Sequence, residues 1–330
     1  MLRRLLIAAL ALAALLALPA AAPAKVNIAV GIGDQNPSMF AHPEWQKLNV
    51  SQTRYFIHWD AIDKPAELQK ADVFVRAARA NGQRVLLHIS SNDLAPGKAK
   101  LPSVSAYRQK VKALYKRYRP LGVRDWGVWN EANHKTQPTY RSAKRAAAFA
   151  KEMNKFCKRC NIVALDILDQ KSTKNPRSKT NYDNYIRTWF RSAGSVGRSK
   201  KLIIGIHNYS EVNRKRTTAT AAIIREVRKK NARAKFWYTE TGGLAGFGKS
   251  FPCDPNSLSS LAAAEQRQAK ATNHMFRLAK KYRRHIKRLY SYNWTGTNCT
   301  NRFDAGLIRL DGSTRPAYDS FAALLKEYRR

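Results

Sequence analysis

Acidic residues are scarce in this sequence: 22 Asp and Glu stand against 61 Lys and Arg, a formal net charge of +39 over 330 residues. An imbalance of that size makes polyanions, nucleic acid included, the first partners to consider. Yet none of the standard nucleic-acid-binding motifs is present, and the cations are spread over nearly every predicted helix, as in 141–158, 225–233 and 277–288. That spread argues against a dedicated nucleic-acid reader. It describes a solvated basic exterior, one that could associate electrostatically with an anionic wall or surface polymer. Cysteine is also scarce, with four in all. There is no second C-x-x-C and no His pair at ligand spacing, which argues against a zinc module. His42, His58 and His134 form no convincing ligand set, and no metal or cofactor is implied. No apolar run beyond the first residues is long enough to cross a bilayer, and no Pro/Gly-rich linker divides the chain.

What is present begins with the N-terminus. Arg3 and Arg4 precede an apolar run of 14 residues, Leu5 to Leu18, followed by Ala22-Pro23-Ala24. A charged region, a short apolar core and a small-x-small site are the parts of an export signal, in the right order. The run falls short of the roughly 20 residues a spanning helix needs. Residues 1–24 are therefore expected to be a cleaved signal peptide and the protein secreted; an uncleaved membrane anchor is the alternative. In an oxidising compartment, Cys157–Cys160 and Cys253–Cys299 are expected as disulfides, with a redox pair or half a zinc site as other uses of the C-x-x-C.

Along 25–330, short β-branched or apolar runs alternate with stretches of helical period. The runs are 26–32, 53–58, 84–89, 125–129, 162–165, 202–206, 235–239 and 289–294. Between them 43–48, 66–80, 104–118, 139–156, 182–193, 217–230 and 257–282 read as helices, with a last one over 316–328. Pro316 suits a first helical turn, where its missing N–H would be unpaired anyway. Eight strands alternating with eight helices predict one (β/α)8 TIM barrel, with a doubly wound open sheet as the competitor.

Barrel chemistry sits at the C-terminal ends of strands. Strand two ends at His58-Trp59-Asp60, strand three at His88 and strand six at His207-Asn208-Tyr209. Strand four runs through Trp129 into Asn130-Glu131, strand seven ends Thr239-Glu240, and strand eight ends Asn293-Trp294. An apolar strand that delivers a carboxylate at its tip places a costly charge at a cleft mouth. Two such glutamates across the ring can cleave a glycosidic bond: one protonates the leaving oxygen while the other attacks the anomeric carbon. A gap of about 5 Å between them gives retention.

These residues resemble a known group. Trp129-Asn130-Glu131 and Thr239-Glu240-Thr241 are similar to the two catalytic signatures of clan A glycoside hydrolases, closest to family 5, the cellulase and mannanase family, with the related xylosidase-type clan A families next. His207-Asn208-Tyr209, His88, Trp294 and the stretch from Arg54 to Trp59 match that family in order. The resemblance implies Glu131 as acid/base, kept neutral by burial and by Glu240, with Glu240 as nucleophile. Arg54 and Tyr209 would hold Glu240, and Asn130 would meet the sugar 2-hydroxyl. Trp294 would be the stacking floor, with His88 and His207 bonding the sugar.

Each assignment has a plainer alternative. The glutamates could be surface carboxylates paired with one of the many cations. His88 and His207 could be satisfied core histidines, and Arg54 could pair with Asp60 or Asp63. Trp59, Trp129 and Trp237 read as barrel packing. Asp166 and Glu211 could line the cleft, Glu211 as a rival carboxylate. The expected partner is a poly- or oligosaccharide, with gluco-, manno- and xylo-configured β-linkages all open. A barrel without catalysis that binds an acidic glycan or other anionic polymer is the competing function.

Overall fold

The computed structural model describes residues 25–95, 97–248, 258–297 and 303–329. The expected signal peptide, Cys253 and Cys299 lie outside the described residues.

Eight parallel strands close into a ring. They are β1 (Val26–Gly33), β2 (Gln52–His58), β3 (Arg84–Ser90), β4 (Asp125–Gly127), β5 (Asn161–Leu168), β6 (Ile203–His207), β7 (Lys235–Thr241) and β8 (Ile286–Tyr292). Each pairs with the next, and β8 returns to β1 with Ala29 beside Arg288 and Gly33 beside Tyr292. Closure rules out the open doubly wound sheet. The helices between strands are α1 (Pro43–Leu48), α2 (Pro65–Ala80), α3 (Val104–Tyr118), α4 (Ala143–Phe156), α5 (Tyr182–Ala193), α6 (Ala219–Arg228), α7 (Leu258–Lys281) and α8 (Pro316–Leu325). Pro65 and Pro316 both sit at the first turn of their helices. No helix among the described residues is long and apolar enough to cross a membrane.

Local chemistry sets the boundaries. The expected helix over 139–156 starts later because the Ser142 hydroxyl accepts the Arg145 N–H at 3.1 Å, capping α4, while Pro138–Arg141 forms a separate 3-10 turn. In α4 the buried stripe Ala146, Ala147, Phe149, Ala150 and Met153 has helical spacing and faces the sheet. Strand eight starts and ends earlier than its apolar run suggested. Lys287 and Arg288 hide its start from a hydropathy reading, but Arg288 points into the barrel.

The barrel interior is layered. At its N-terminal end Asp125 accepts hydrogen bonds from Arg84 (2.5 Å), Arg288 (2.6 Å) and Asn161 (2.7 Å). Arg288 also lies 4.0 Å over the Trp237 ring. Leu86, Val163, Ile203, Trp237 and Tyr290 fill the middle as their own apolar cluster. Above them, at the C-terminal end, the interior becomes polar. There a side chain on Gly127 would overlap the His88 ring, and one on Gly205 would overlap Asp166 and lie 2.6 Å from Thr239 Oγ1. The two glycines make room for a buried polar layer.

At the chain's other cysteine pair, Cys157 and Cys160 are joined in a disulfide with Cα atoms 5.5 Å apart, closing the turn between α4 and β5.

Candidate active site

Glu131 and Glu240 stand together at the C-terminal mouth. One oxygen of each, with one ring nitrogen of His207, lie within 4.8 Å of one another. Glu240 follows Thr239 on β7, where an irregular register beside β6 and β8 turns its side chain inward. Arg54 Nη1 donates to Glu240 Oε2 at 2.7 Å, and Tyr209 OH donates to Oε1 at 3.0 Å. Both oxygens are therefore held, one by a permanently charged guanidinium. Arg54 reaches from β2 and is buried. Its other branches donate to Asn130 Oδ1 at 2.5 Å and His88 Nδ1 at 3.3 Å, so it does not pair with Asp60 or Asp63.

Glu131 lies just past β4 with a left-handed backbone, φ 41°. A non-glycine residue there stores about 1 kcal/mol or more. Its N–H donates to Asp166 Oδ2 at 3.1 Å and the next N–H to Asp166 O at 2.9 Å, which holds the turn. Asp166 sits in mid-β5 and is wholly buried. It also accepts a hydrogen bond from the Thr239 hydroxyl and lies 2.8 Å from His207 Nε2. It is a support beneath the mouth and does not line a cleft. The same argument that found the two glutamates, a carboxylate inside an apolar run, marks Asp166 in Val-Ala-Leu-Asp-Ile-Leu.

His207 is the hub. Its Nδ1 is 3.1 Å from Glu131 Oε1 and 3.8 Å from Glu240 Oε2, while Nε2 faces Asp166. Burial opposes charge on the ring. The negative charges of Asp166 and Glu240, with hydrogen bonds to Asp166 and Glu131, overcome that and raise its pKa to about 10. Burial also works to raise the Glu131 carboxyl, but the hydrogen bond and charge of His207, with the charge of His134, bring it below its ordinary value. The expectation of a neutral Glu131 is therefore corrected: a charged imidazolium beside it outweighs desolvation. Asp166 follows the same logic, held below the carboxylate range by His207 against its own burial.

Three further expectations change. His88 is fully buried beneath the mouth, accepting from Arg54 rather than facing a sugar; burial, opposed by Asp166, drives its pKa down to about 3. A lone pair that receives the Arg54 N–H requires that neutral form. His207 likewise bonds the glutamate, not an open cleft. Trp294 is fully buried. Its ring packs edge-on to Trp45 (5.5 Å) and His42 (5.4 Å), outside the barrel under α1 and α8, because β8 ends before it. The half-buried aromatic at the end of β8 is Tyr292, with Phe56 and Phe303 on either side at 6.5 and 6.1 Å. Glu211 is no rival: its carboxylate accepts the Thr220 N–H and hydroxyl at the start of α6.

Glu131, His207 and Glu240 are close enough to hold a metal ion.

No family model matches the sequence, and no curated protein does. Solved structures do. A GH10 endoxylanase from a sugarcane soil metagenome superimposes with a TM-score of 0.60 at 13% identity, over 91% of this chain and 97% of its own. Xylanase XynB of Paenibacillus barcinonensis gives 0.62 at 12%, over 92% and 99%. A psychrophilic glycoside hydrolase family 10 endo-β-1,4-xylanase gives 0.61 at 14%, over 90% and 96%. The chain has the fold of these xylanases. Two of the three are described as family 10 and none as family 5, so the family 5 expectation gains no support from them.

Proposed function

We propose that this protein is a retaining glycoside hydrolase acting on a β-linked poly- or oligosaccharide, with Glu240 as nucleophile and Glu131 as acid/base. The observation that carries it is the carboxylate spacing. Oxygens within 4.8 Å leave no place for an attacking water between them and match the about 5 Å of retaining enzymes. Glu240 attacks the anomeric carbon, the bond to the leaving oxygen breaks, and that oxygen takes a proton from the Glu131 side. Water, deprotonated by Glu131, then releases the sugar. Since Glu131 is held ionised at rest, the proton it delivers is the one on His207 Nδ1, 3.1 Å away. The working acid is the Glu131–His207 pair. In this reading Asn130, oriented by Arg54, meets a sugar hydroxyl, and Tyr292 takes the stacking role expected of Trp294.

The resemblance in fold to xylanases puts xylan first among substrates to try. We further propose that the protein acts outside the cytoplasm, since disulfides such as Cys157–Cys160 persist in oxidising compartments.

The test is hydrolysis of xylan, other β-linked polysaccharides and aryl β-glycosides by wild type, Glu131→Gln and Glu240→Gln, with the first-formed anomer read by NMR. Glu240→Gln should abolish cleavage of every substrate. Glu131→Gln should lose about 10²–10⁴-fold on xylan and far less on aryl glycosides whose leaving groups need no acid. Inverted product, or three proteins with equal activity, overturns the reading.

A further inference from the structure

Cations occur at both ends of the barrel, but acids are unevenly shared between them, so the net charge is uneven. In a parallel barrel every helix-to-strand connection lies on the face opposite the catalytic mouth. Five of these connections, residues 119–124, 157–160, 194–202, 229–234 and 282–285, hold twelve Lys and Arg and no Asp or Glu. All twelve are exposed. Among the described residues only Lys229 of the twelve forms an ion pair, with Glu226 at 3.5 Å. Acids gather instead on the mouth side, at Asp34, Asp60, Asp93, Glu131, Asp169 and Glu211. Last-turn cations complement helix dipoles, which accounts for one or two at each helix end. It does not account for Arg124, Lys158, Arg159 or Lys201, which lie in the connections themselves.

At one edge of this face, the charge surrounds a recess of about 260 Å³ where α5 and α6 end. Arg187, Phe190, Arg191, Gly194, Arg198 and Lys230 line it. Arg191, Arg198 and Lys230 form no ion pair with a described residue, and the recess admits a pendant carboxylate or phosphate. The exposed large apolar side chains, Val73, Leu94, Phe247 and Leu310, all lie elsewhere. Phe190 in the recess is half-buried and packed edge-on to Trp189, and Tyr282 is half-buried, so the face presents no row of exposed rings for base stacking and no large exposed apolar group for bilayer insertion.

We propose that the N-terminal face of the barrel is a docking surface for an anionic polysaccharide, whose pendant acidic groups enter the recess between α5 and α6. A chain held there leaves the catalytic mouth pointing away from the polymer and open to substrate. The proposal goes beyond the hydrolase reading and does not depend on it.

The experiment measures binding of the full chain to polygalacturonate over a series of salt concentrations. Two charge-reversal variants of equal net charge are compared. One carries Arg191→Glu, Arg198→Glu, Lys200→Glu and Lys230→Glu on the proposed face; the other carries Lys98→Glu, Lys100→Glu, Lys174→Glu and Arg177→Glu on the mouth side. Wild type should bind with an affinity that falls steeply with salt. The first variant should weaken on the order of a hundredfold and the second by only a few fold. Both should keep wild-type melting temperature and activity on a neutral substrate. Absence of binding, or equal loss in both variants, overturns the proposal. So does tighter binding to a thymidine homopolymer or to phosphatidylglycerol-containing vesicles than to polygalacturonate.

Discussion

His207 should make the protein lose stability as pH rises from neutral, because it is a buried histidine whose charge the fold maintains. In the folded protein its pKa is about 10, against an ordinary 6.5. A group whose folded pKa is raised stabilises fully below its unfolded pKa, and that contribution disappears as pH climbs through the folded value. The whole difference corresponds to about 5 kcal/mol, falling by about 1.4 kcal/mol for each pH unit between the two pKa values. From about pH 7 to about pH 9 wild type should therefore lose about 2.5 kcal/mol relative to His207→Asn, in which no imidazole titrates. Urea unfolding of both proteins across that range measures it, the variant serving to cancel lysine and tyrosine titration. The variant should be less stable at neutral pH, since Asp166 and Glu131 lose their cation. On the proposed mechanism, in which the Glu131–His207 pair supplies the proton, the alkaline limb of kcat/KM should lie near the same pKa of about 10. NMR of the labelled imidazole, assigned through the variant, gives the pKa directly. A His207 ring that is neutral at pH 8, or equal slopes for the two proteins, would refute the reasoning.

Other substitutions test the layers separately. Gly205→Ala places a methyl group against Asp166 and Thr239, and should destabilise by about 3 kcal/mol with a drop in kcat, read by thermal unfolding and kinetics. Asp125→Asn leaves the guanidinium of Arg288 without its anion inside the barrel. It should cost about 3 kcal/mol in denaturant unfolding while kcat holds, since it lies at the opposite end from the site. Reducing Cys157–Cys160 opens a very small loop, so Cys157→Ser with Cys160→Ser should lower stability by no more than about 2 kcal/mol. A larger loss would mean that the bridge orders more than the turn it closes.

The alternation of apolar runs and amphipathic stretches was enough to order the barrel, because strand burial and helix amphipathicity are local properties of the chain. Glu131 and Glu240 were legible for a related reason: a carboxylate ending an apolar strand has no packing role that would keep it there. Arg54, Asn130 and Tyr209 came with the family resemblance; Arg54 and Tyr209 bond Glu240, and Asn130 bonds Arg54. Partnership was not legible. That His88 serves Arg54, that His207 joins Glu131 to Asp166, and that Trp294 turns outward depend on which strands are neighbours and where each one ends. The charge on Glu131 shows the same limit. Burial alone argues for a neutral acid, and only a histidine brought 76 residues along the chain to within 3.1 Å reverses it. Likewise the cations look uniformly scattered in sequence, and only the parallel closure of the barrel gathers the helix-to-strand connections onto one face.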